Sequence, residues 1–497
     1  MGLMPKPRRT LAAHSQPSLP GLNTGLDLTT YKTIRLAVSG DVELTRLETR
    51  LIDTPAFQRL RFIRQLGAAY LVYPTALHTR FDHSLGTLGA ARRMIEAIRG
   101  NARAHSEERD IPPEEELLAR LFALLHDIGH IPFGHTLEDE LGLFARHDAS
   151  RERIERFVGP ESAAGRLLRP ALGGELYQRL LRLFEAAAGQ CEPAADDVYI
   201  LDLVTNTICA DLLDYLARDA FFCNLSVEAG DRFYRYLALR RHGGRRRLVV
   251  QLWKENKDAP RRDVLGELIR LLDNRYVLSE RVYFHHAKLV AGTMVGAAVA
   301  RALAAGTLDP AELFDLGDDT LLWRLARGEP PQAAGLARAV LERRLWKLAA
   351  RWDREALGAE GVAGTVAGPP HAADGEDRAP AVEHLLARLH ADAARRRRLE
   401  ERRAAELGLD PGELLIHCPP LKMAMKLADT MVLWRGAIRP LRDCRDDALT
   451  GIKLQAILDS HRNLWATRVF VPPERLAARE ALARLTPPER RRWLGGE

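Results

Sequence analysis

One segment constrains this chain more than any other: Leu121-Phe122-Ala123-Leu124-Leu125-His126-Asp127-Ile128-Gly129-His130-Ile131-Pro132-Phe133-Gly134-His135. An unbroken apolar run that leads into a His-Asp pair describes a core helix whose C-terminal end surfaces into a pocket. Gly129 and Pro132 then stop that helix. An adjacent imidazole and carboxylate suit a divalent metal ion (Mn, Fe, Zn or Mg) better than they suit packing. Two other segments complete a set: His83, in His78-Thr79-Arg80-Phe81-Asp82-His83, and Asp211, in Ala210-Asp211-Leu212-Leu213-Asp214-Tyr215. Singly, His83 reads better as a helix-start residue before Ser84, and Asp211 as a helix-surface carboxylate. Taken in order, His83, His126, Asp127 and Asp211 offer two nitrogens and two oxygens, which leaves coordination positions open for water and a substrate.

The surroundings of that set are those of an ordinary globular protein. The chain has 497 residues, 46% hydrophobic and 28% charged, enough for one large domain or two to three smaller ones. No run of 18 apolar residues predicts a membrane span, and the N-terminus lacks the apolar stretch of a signal peptide. The cytoplasm is therefore the expected compartment. The five cysteines are scattered and form no CxxC pair, which argues for reduced thiols and excludes zinc-finger chemistry. A net charge of +6 permits attraction of nucleotides without demanding nucleic acid. The Arg runs at 245–247, 395–398 and 490–492 lack interleaved aromatic residues, so nucleic-acid binding is not supported and solvated surfaces are the reading.

Apolar spacing predicts a mostly α chain with small β pieces. Residues 1–30 read as a disordered tail and 31–305 as the main unit. Residues 306–407 read as a helical insert carrying a Gly/Ala/Pro-rich linker at 356–380, and 408–497 as a smaller α+β region. Hairpins are expected with turns near Ser39-Gly40 and at Gly243-Gly244. Helices are expected at 86–98, 117–128, 176–187, 199–222, 262–273, 276–305 and 381–407.

Near the His-Asp pair, Glu138 stands three residues after His135, a spacing at which a carboxylate can orient an imidazole and raise its pKa. Asp211, Tyr215 and Arg218 fall on one helix face, with Asp219 four residues beyond Tyr215. Several ordered segments accompany these: Ile52-Asp53-Thr54-Pro55-Ala56-Phe57-Gln58-Arg59-Leu60-Arg61, Gln65-Leu66, Arg146-His147-Asp148, Asp214-Tyr215-Leu216-Ala217-Arg218-Asp219, and Arg275 with Tyr283. Together with the H…HD…D order they resemble the HD-domain metal-dependent phosphohydrolases. Within these, the resemblance is to the deoxynucleoside triphosphate triphosphohydrolases, the SAM-and-HD-domain group and its bacterial relatives. It covers 30–300 well and 410–475 more faintly, through Lys422, Lys426 and the stretch from Trp465 to Pro473.

The resemblance implies an HD-domain helical core that holds a divalent metal on His83, His126, Asp127 and Asp211. The implied reaction converts a dNTP to deoxynucleoside and inorganic triphosphate by metal-activated water at the α-phosphorus. It assigns His135, with Glu138, to proton donation and turns His130 and His147 toward phosphate. Gln65, Leu66 and Arg80 fall near the base and α-phosphate, Tyr215 and Asp219 at the deoxyribose, and Arg275 at the triphosphate, with Tyr283 a further substrate-binding position. Lys32, Asp53, Gln58 and Arg61 match positions for an activating nucleotide. A homo-oligomer, dimer or tetramer, is implied as well. Three departures stand against a complete transfer. Relatives often carry Asp at Glu138, a Lys beside the last ligand is Leu212 here, and an Asp-Pro-x-His-Gly motif is replaced by Leu36-Ala37-Val38-Ser39-Gly40. Two alternatives stay open: an HD phosphohydrolase acting on a nucleoside monophosphate, a signalling nucleotide or a nucleic-acid end, and a non-catalytic nucleotide sensor.

Overall fold

Thr45 starts the first helix through a reciprocal cap. Its hydroxyl accepts from the Glu48 N–H, and the Glu48 carboxylate accepts from the Thr45 N–H at 2.7 Å. The same buried carboxylate receives two 2.7 Å hydrogen bonds from Arg120, so one side chain caps one helix and ties it to another. The structure is a computed structural model, described over residues 26–105, 111–227, 230–358, 379–421 and 428–495.

The elements run from a hairpin, β1 (Lys32–Leu36) and β2 (Gly40–Leu44), into helices α1 (Arg46–Ile52), α2 (Pro55–Gln58), α3 (Arg80–His105) and α4 (Pro113–Leu125). Then come α5 (Arg151–Val158), α6 (Ala163–Ala187), α7 (Val198–Thr205) and α8 (Ala210–Phe222). A second hairpin, β3 (Leu237–His242) and β4 (Arg245–Gln251), and a short pair, β5 (Trp253–Lys254) and β6 (Ala259–Pro260), lead to α9 (Arg262–Leu278), α10 (His286–Ala304), α11 (Asp318–Ala326) and α12 (Pro331–Leu341). The rest comprises β7 (Lys347–Trp352), α13 (Ala379–Ala391), α14 (Ala393–Glu406), β8 (Leu415–His417), β9 (Met431–Trp434), β10 (Ala437–Pro440), α15 (Ala448–Leu464), β11 (Thr467–Val471), α16 (Ala478–Ala483) and α17 (Pro487–Gly495). The class is the expected one, mostly α with small sheets. Most of the expected tail, most of the linker, Lys422 and Lys426 lie outside the described residues.

Both hairpins form where expected, the second turning on Gly243 and Gly244 at φ +57° and +77°. Three expected helices are broken, each at a local hydrogen-bonding device. Residues 199–222 split at Asn206, which is extended and whose side-chain oxygen accepts from the Thr207 N–H. Residues 276–305 split at a wide turn, Ser279–Tyr283, after which His285 caps α10. Residues 381–407 split at Asp392, whose carboxylate caps α14.

The sequence segments interlock rather than stack. Strands β9 and β10 return to the main body and extend its sheet in the order β10-β9-β4-β3, with β4 and β9 parallel. Strands β7, β11 and β8 form a separate antiparallel sheet from three distant parts of the chain. One face of that sheet, with Leu415 and Phe470, joins the main core. The other, with Ile416 and Val469, joins a smaller core with Leu386, Leu399, Trp465 and Trp493. Helix α10 runs through the main core. By length and composition alone it is apolar enough to cross a membrane, and 67% of its most apolar window is buried inside the protein.

Candidate active site

Three helix ends converge to make the site: the start of α3, the end of α4 and the start of α8. His83 Nε2 lies 3.1 Å from Asp211 Oδ1 and 3.6 Å from Asp127 Oδ2. His126 Nε2 lies 3.4 Å from Asp127 Oδ1 and 3.8 Å from Asp211 Oδ1, and the two imidazoles meet edge to face. Each ring is oriented from behind. His83 Nδ1 is 2.9 Å from Asp214 Oδ2, and His126 Nδ1 is 2.8 Å from the Ala123 carbonyl. An Nδ1–H donated outward leaves Nε2 with its lone pair facing inward. His126 Nε2 is buried with no hydrogen-bond partner. These four side chains therefore have the donor chemistry, the burial and the orphaned nitrogen that a divalent cation would satisfy.

Asp127 joins this cluster to a second one. Its Oδ2 takes a 2.6 Å ion pair from Arg80, and its Oδ1 lies 3.3 Å from both His130 Nε2 and His147 Nε2. His130 and His147 stack with ring centroids 3.5 Å apart, and His135 meets both edge to face. Burial would lower the His147 pKa, but hydrogen bonds with Asp127 and Glu138 raise it to about 10. Burial together with Arg80 and His147 pushes His130 well down. The stack thus pairs a cationic and a neutral imidazole.

The partner of His135 is a correction to the sequence reading. His135 Nδ1 bonds Asp139 Oδ2 at 2.7 Å, while Glu138 points inward to the His147 N–H and Nδ1 and pairs with Arg153. Helical spacing sets both the third and the fourth residue beneath His135; Glu138 is taken by His147 and Arg153, which leaves Asp139 to the His135 ring. Burial would raise the Asp139 carboxyl, but His135 and Arg146 hold it at about 2. Arg218 is a second correction. It is buried against Asp214 and Ser39 rather than sharing the pocket face of Tyr215.

A cavity of about 850 Å³ opens over both clusters. Gln65, Leu66, Arg80, Tyr215, Asp219, Arg275 and Tyr283 all line it, as does Leu212. Asp219 is fixed from two sides, by His78 Nε2 at 2.8 Å and by the Tyr283 hydroxyl at 2.7 Å. The other four expected positions do not line the cavity. Lys32 and Asp53 are exposed, and the exposed Arg61 donates to the Gln58 side chain at 2.8 Å and lies over Phe81.

Sequence reasoning missed several contributors. Asp214 orients His83, and its place three residues after Asp211 was the available signal. Asp318 is fully buried and accepts from the Phe133 N–H at 2.8 Å and the Arg64 N–H at 2.9 Å, so α11 braces both the His135 loop and the Gln65 segment. No local pattern announces that contact. Part of the cavity wall comes from Arg354, Pro419, Leu421, Arg462 and Trp465.

The family model for the HD domain matches residues 80–219, which contain His83, His126, Asp127 and Asp211. Residues 80–219 are therefore an HD domain. A second model, the HD associated region, matches 269–367. Among curated relatives, an uncharacterized protein of Methanocaldococcus jannaschii is 29% identical over 59% of this chain and 54% of its own length. The deoxynucleoside triphosphate triphosphohydrolase SAMHD1 of Danio rerio is 28% identical over 61% of this chain and 49% of its own, and that of Homo sapiens 27% over 54% and 44%. The chain thus spans about half the length of the curated relatives it matches. A solved structure, a hypothetical protein from Aquifex aeolicus, shares the fold at TM-score 0.60 and 22% identity, covering 91% of this chain and 99% of that one. The HD match spans α3 through α8, the helices whose ends meet at the site.

Proposed function

We propose that this HD-domain protein is a metal-dependent phosphohydrolase that cleaves dNTPs to deoxynucleoside and inorganic triphosphate. The observation that carries the reading is Asp127. One of its oxygens faces His83 and Arg80, and the other faces His126, His130 and His147, so the metal donors and the phosphate-facing imidazoles share one carboxylate. The similarity to the SAMHD1 triphosphohydrolases supports the substrate class.

A divalent cation on His83, His126, Asp127 and Asp211 would activate water and offset charge on the α-phosphoryl oxygens. The remaining work falls to side chains. His147, cationic and hydrogen-bonded to Glu138, neutralises the phosphoryl oxygens from the opposite side. His135, paired with Asp139, donates the proton that the departing 5′-oxygen needs as the phosphorus–oxygen bond breaks. Arg275 offers the triphosphate a guanidinium fork. Tyr215, and Tyr283 held on Asp219, wall the sugar so that a 2′-hydroxyl finds no room.

The reading extends to an activating nucleotide at Lys32, Asp53, Gln58 and Arg61, outside the cavity, and to a homo-oligomer. Leu212 in the cavity wall favours a second reading, an HD phosphohydrolase for a substrate with fewer phosphates. The test is incubation with each dNTP, NTP and dNMP, with Mn²⁺ or Mg²⁺, singly and in mixtures, with His126→Ala as control. Deoxynucleoside with intact triphosphate, absent in the variant, is expected. Release of orthophosphate from dNMPs alone would replace the first reading with the second.

A further inference from the structure

The sheet β7-β11-β8 carries a row of basic side chains where it meets α10. Its register sets Arg351 opposite Arg468, and Arg468 opposite His417. Like charges placed directly across strands oppose sheet formation, and two of these three are withdrawn from water: Arg468 is 6% exposed and His417 1%. Arg468 and His417 alternate with Val469 and Ile416, which face the smaller core, so the row faces the main body. There α10 contributes Lys288, and α14 contributes Arg396 from the side; both are buried. Burial first, and then Arg468, Lys288, Arg396 and His390 beside it, push the His417 imidazole well below its usual pKa.

The compensation is incomplete. Arg351 pairs with Asp353, and Lys288 pairs with Glu140, the carboxylate that faces Arg468 as well. Arg396 donates only to the carbonyls of Leu389, His390 and Leu141, and Arg468 only to that of Ala466 at 3.0 Å. Among the described residues neither guanidinium has a carboxylate within ion-pair distance. Both ring nitrogens of His417 are buried without a hydrogen-bond partner. Buried polar atoms are nearly always satisfied in folded proteins, by protein, water or a bound group, and buried cations need counter-charge. An orphaned imidazole enclosed by cations lacks one kind of neighbour, an anion with several acceptor oxygens. Lys288 and Glu140 line the catalytic cavity, so the group opens onto it at that pair.

We propose that the seam between α10 and the β7-β11-β8 sheet is a second anion site, separate from the metal donors, that takes a phosphate group. Arg468 and Lys288 supply the charge, His417 donates a hydrogen bond, and the bound anion replaces Glu140 as the partner of Lys288. Free orthophosphate, or one end of a polyphosphate, carries this chemistry. The inference rests on the charges of the seam and not on which nucleotide the metal site cleaves.

The test is thermal melting of the full chain in orthophosphate, in tripolyphosphate, and in chloride of equal ionic strength. Either phosphate is expected to raise the wild-type melting temperature by about 2 °C or more over chloride. Arg468→Met should melt at or above wild type in chloride, because a buried charge beside a like charge is gone, and should lose the gain in phosphate. Arg275→Met, in the cavity wall, should keep it. A gain in both anions assigns a single phosphate to the site, and a gain in tripolyphosphate alone assigns a polyphosphate. No gain in wild type, an undiminished gain in Arg468→Met, or a loss confined to Arg275→Met would overturn the proposal. If Arg468→Met does not fold, His417→Leu is judged by the same criteria.

Discussion

Asp127 does at the residue scale what no neighbouring side chain can: it is buried, it stays ionised, and it faces two imidazole pairs at once. Burial alone would raise its pKa, and its neighbours His126, Arg80 and His130 hold it well below the usual carboxylate range. His135 is oriented in turn by Asp139. Replacing Asp139 by Asn keeps an acceptor for the imidazole but removes the negative charge beside it. Steady-state kinetics should then show kcat reduced about 10- to 100-fold, with KM little changed. A change in KM alone would instead assign Asp139 to binding. The residue types of this site were legible in the sequence because metal and acid–base chemistry restricts them to a few. Which carboxylate serves His135 was not, because helical spacing sets Glu138 and Asp139 both within reach of the ring, and the choice falls to the tertiary partners of Glu138, His147 and Arg153.

Between elements, the packing of α3 on α8 sets the geometry of His83 and Asp211, the residues proposed to hold the metal. Gly86 lies one turn after His83, and a methyl group there would overlap the Asp214 carboxylate and the Arg218 guanidinium. Neither can retreat, since Asp214 is held by His83, Arg218 and Ser39. Gly86→Ala should therefore cost about 1–3 kcal/mol of stability, as overpacking does, and should lower the bound metal measured by atomic emission. Gly100→Ala on the same helix meets nothing within 4 Å and is the control; it should leave metal content unchanged and be neutral or stabilising. Normal metal content in Gly86→Ala would show that Asp214 does not set the His83 geometry. Helix periodicity made these elements legible over most of their length. The breaks at Asn206, Ser279–Tyr283 and Asp392 were not, because each depends on a side chain choosing a backbone partner that only the tertiary surroundings leave available.

At the scale of the molecule, the chain folds back on itself, and its seams bury charge. Glu400 of α14 accepts from the Ile416 N–H at 2.8 Å, and burial pushes its carboxyl up to about 7 despite Arg396 and Arg301 nearby. A carboxyl whose pKa is raised by folding contributes stability that is fully present below its unfolded pKa and lost as pH rises through the folded value. Glu400→Gln keeps the oxygen acceptor and removes that loss. It should match wild type near pH 4.5 and exceed it above pH 8 by up to about 3 kcal/mol, read as melting temperature against pH. A constant difference across that range would mean that Glu400 does not titrate in the fold. This interlocking was the least legible feature of the sequence. Nothing local to Met431–Trp434 says that it will run parallel to β4, nor that Lys347–Trp352, Leu415–His417 and Thr467–Val471 will share a sheet.

Hydrolysis of a dNTP at its α-phosphorus is read out by turnover of a dNTP by the metal-loaded protein in ¹⁸O-water, with products resolved by mass spectrometry. Water attack at the α-phosphorus yields an unlabelled deoxynucleoside and a triphosphate that carries the label. Label in the deoxynucleoside, release of deoxynucleoside monophosphate with pyrophosphate, or no turnover of any dNTP would contradict it.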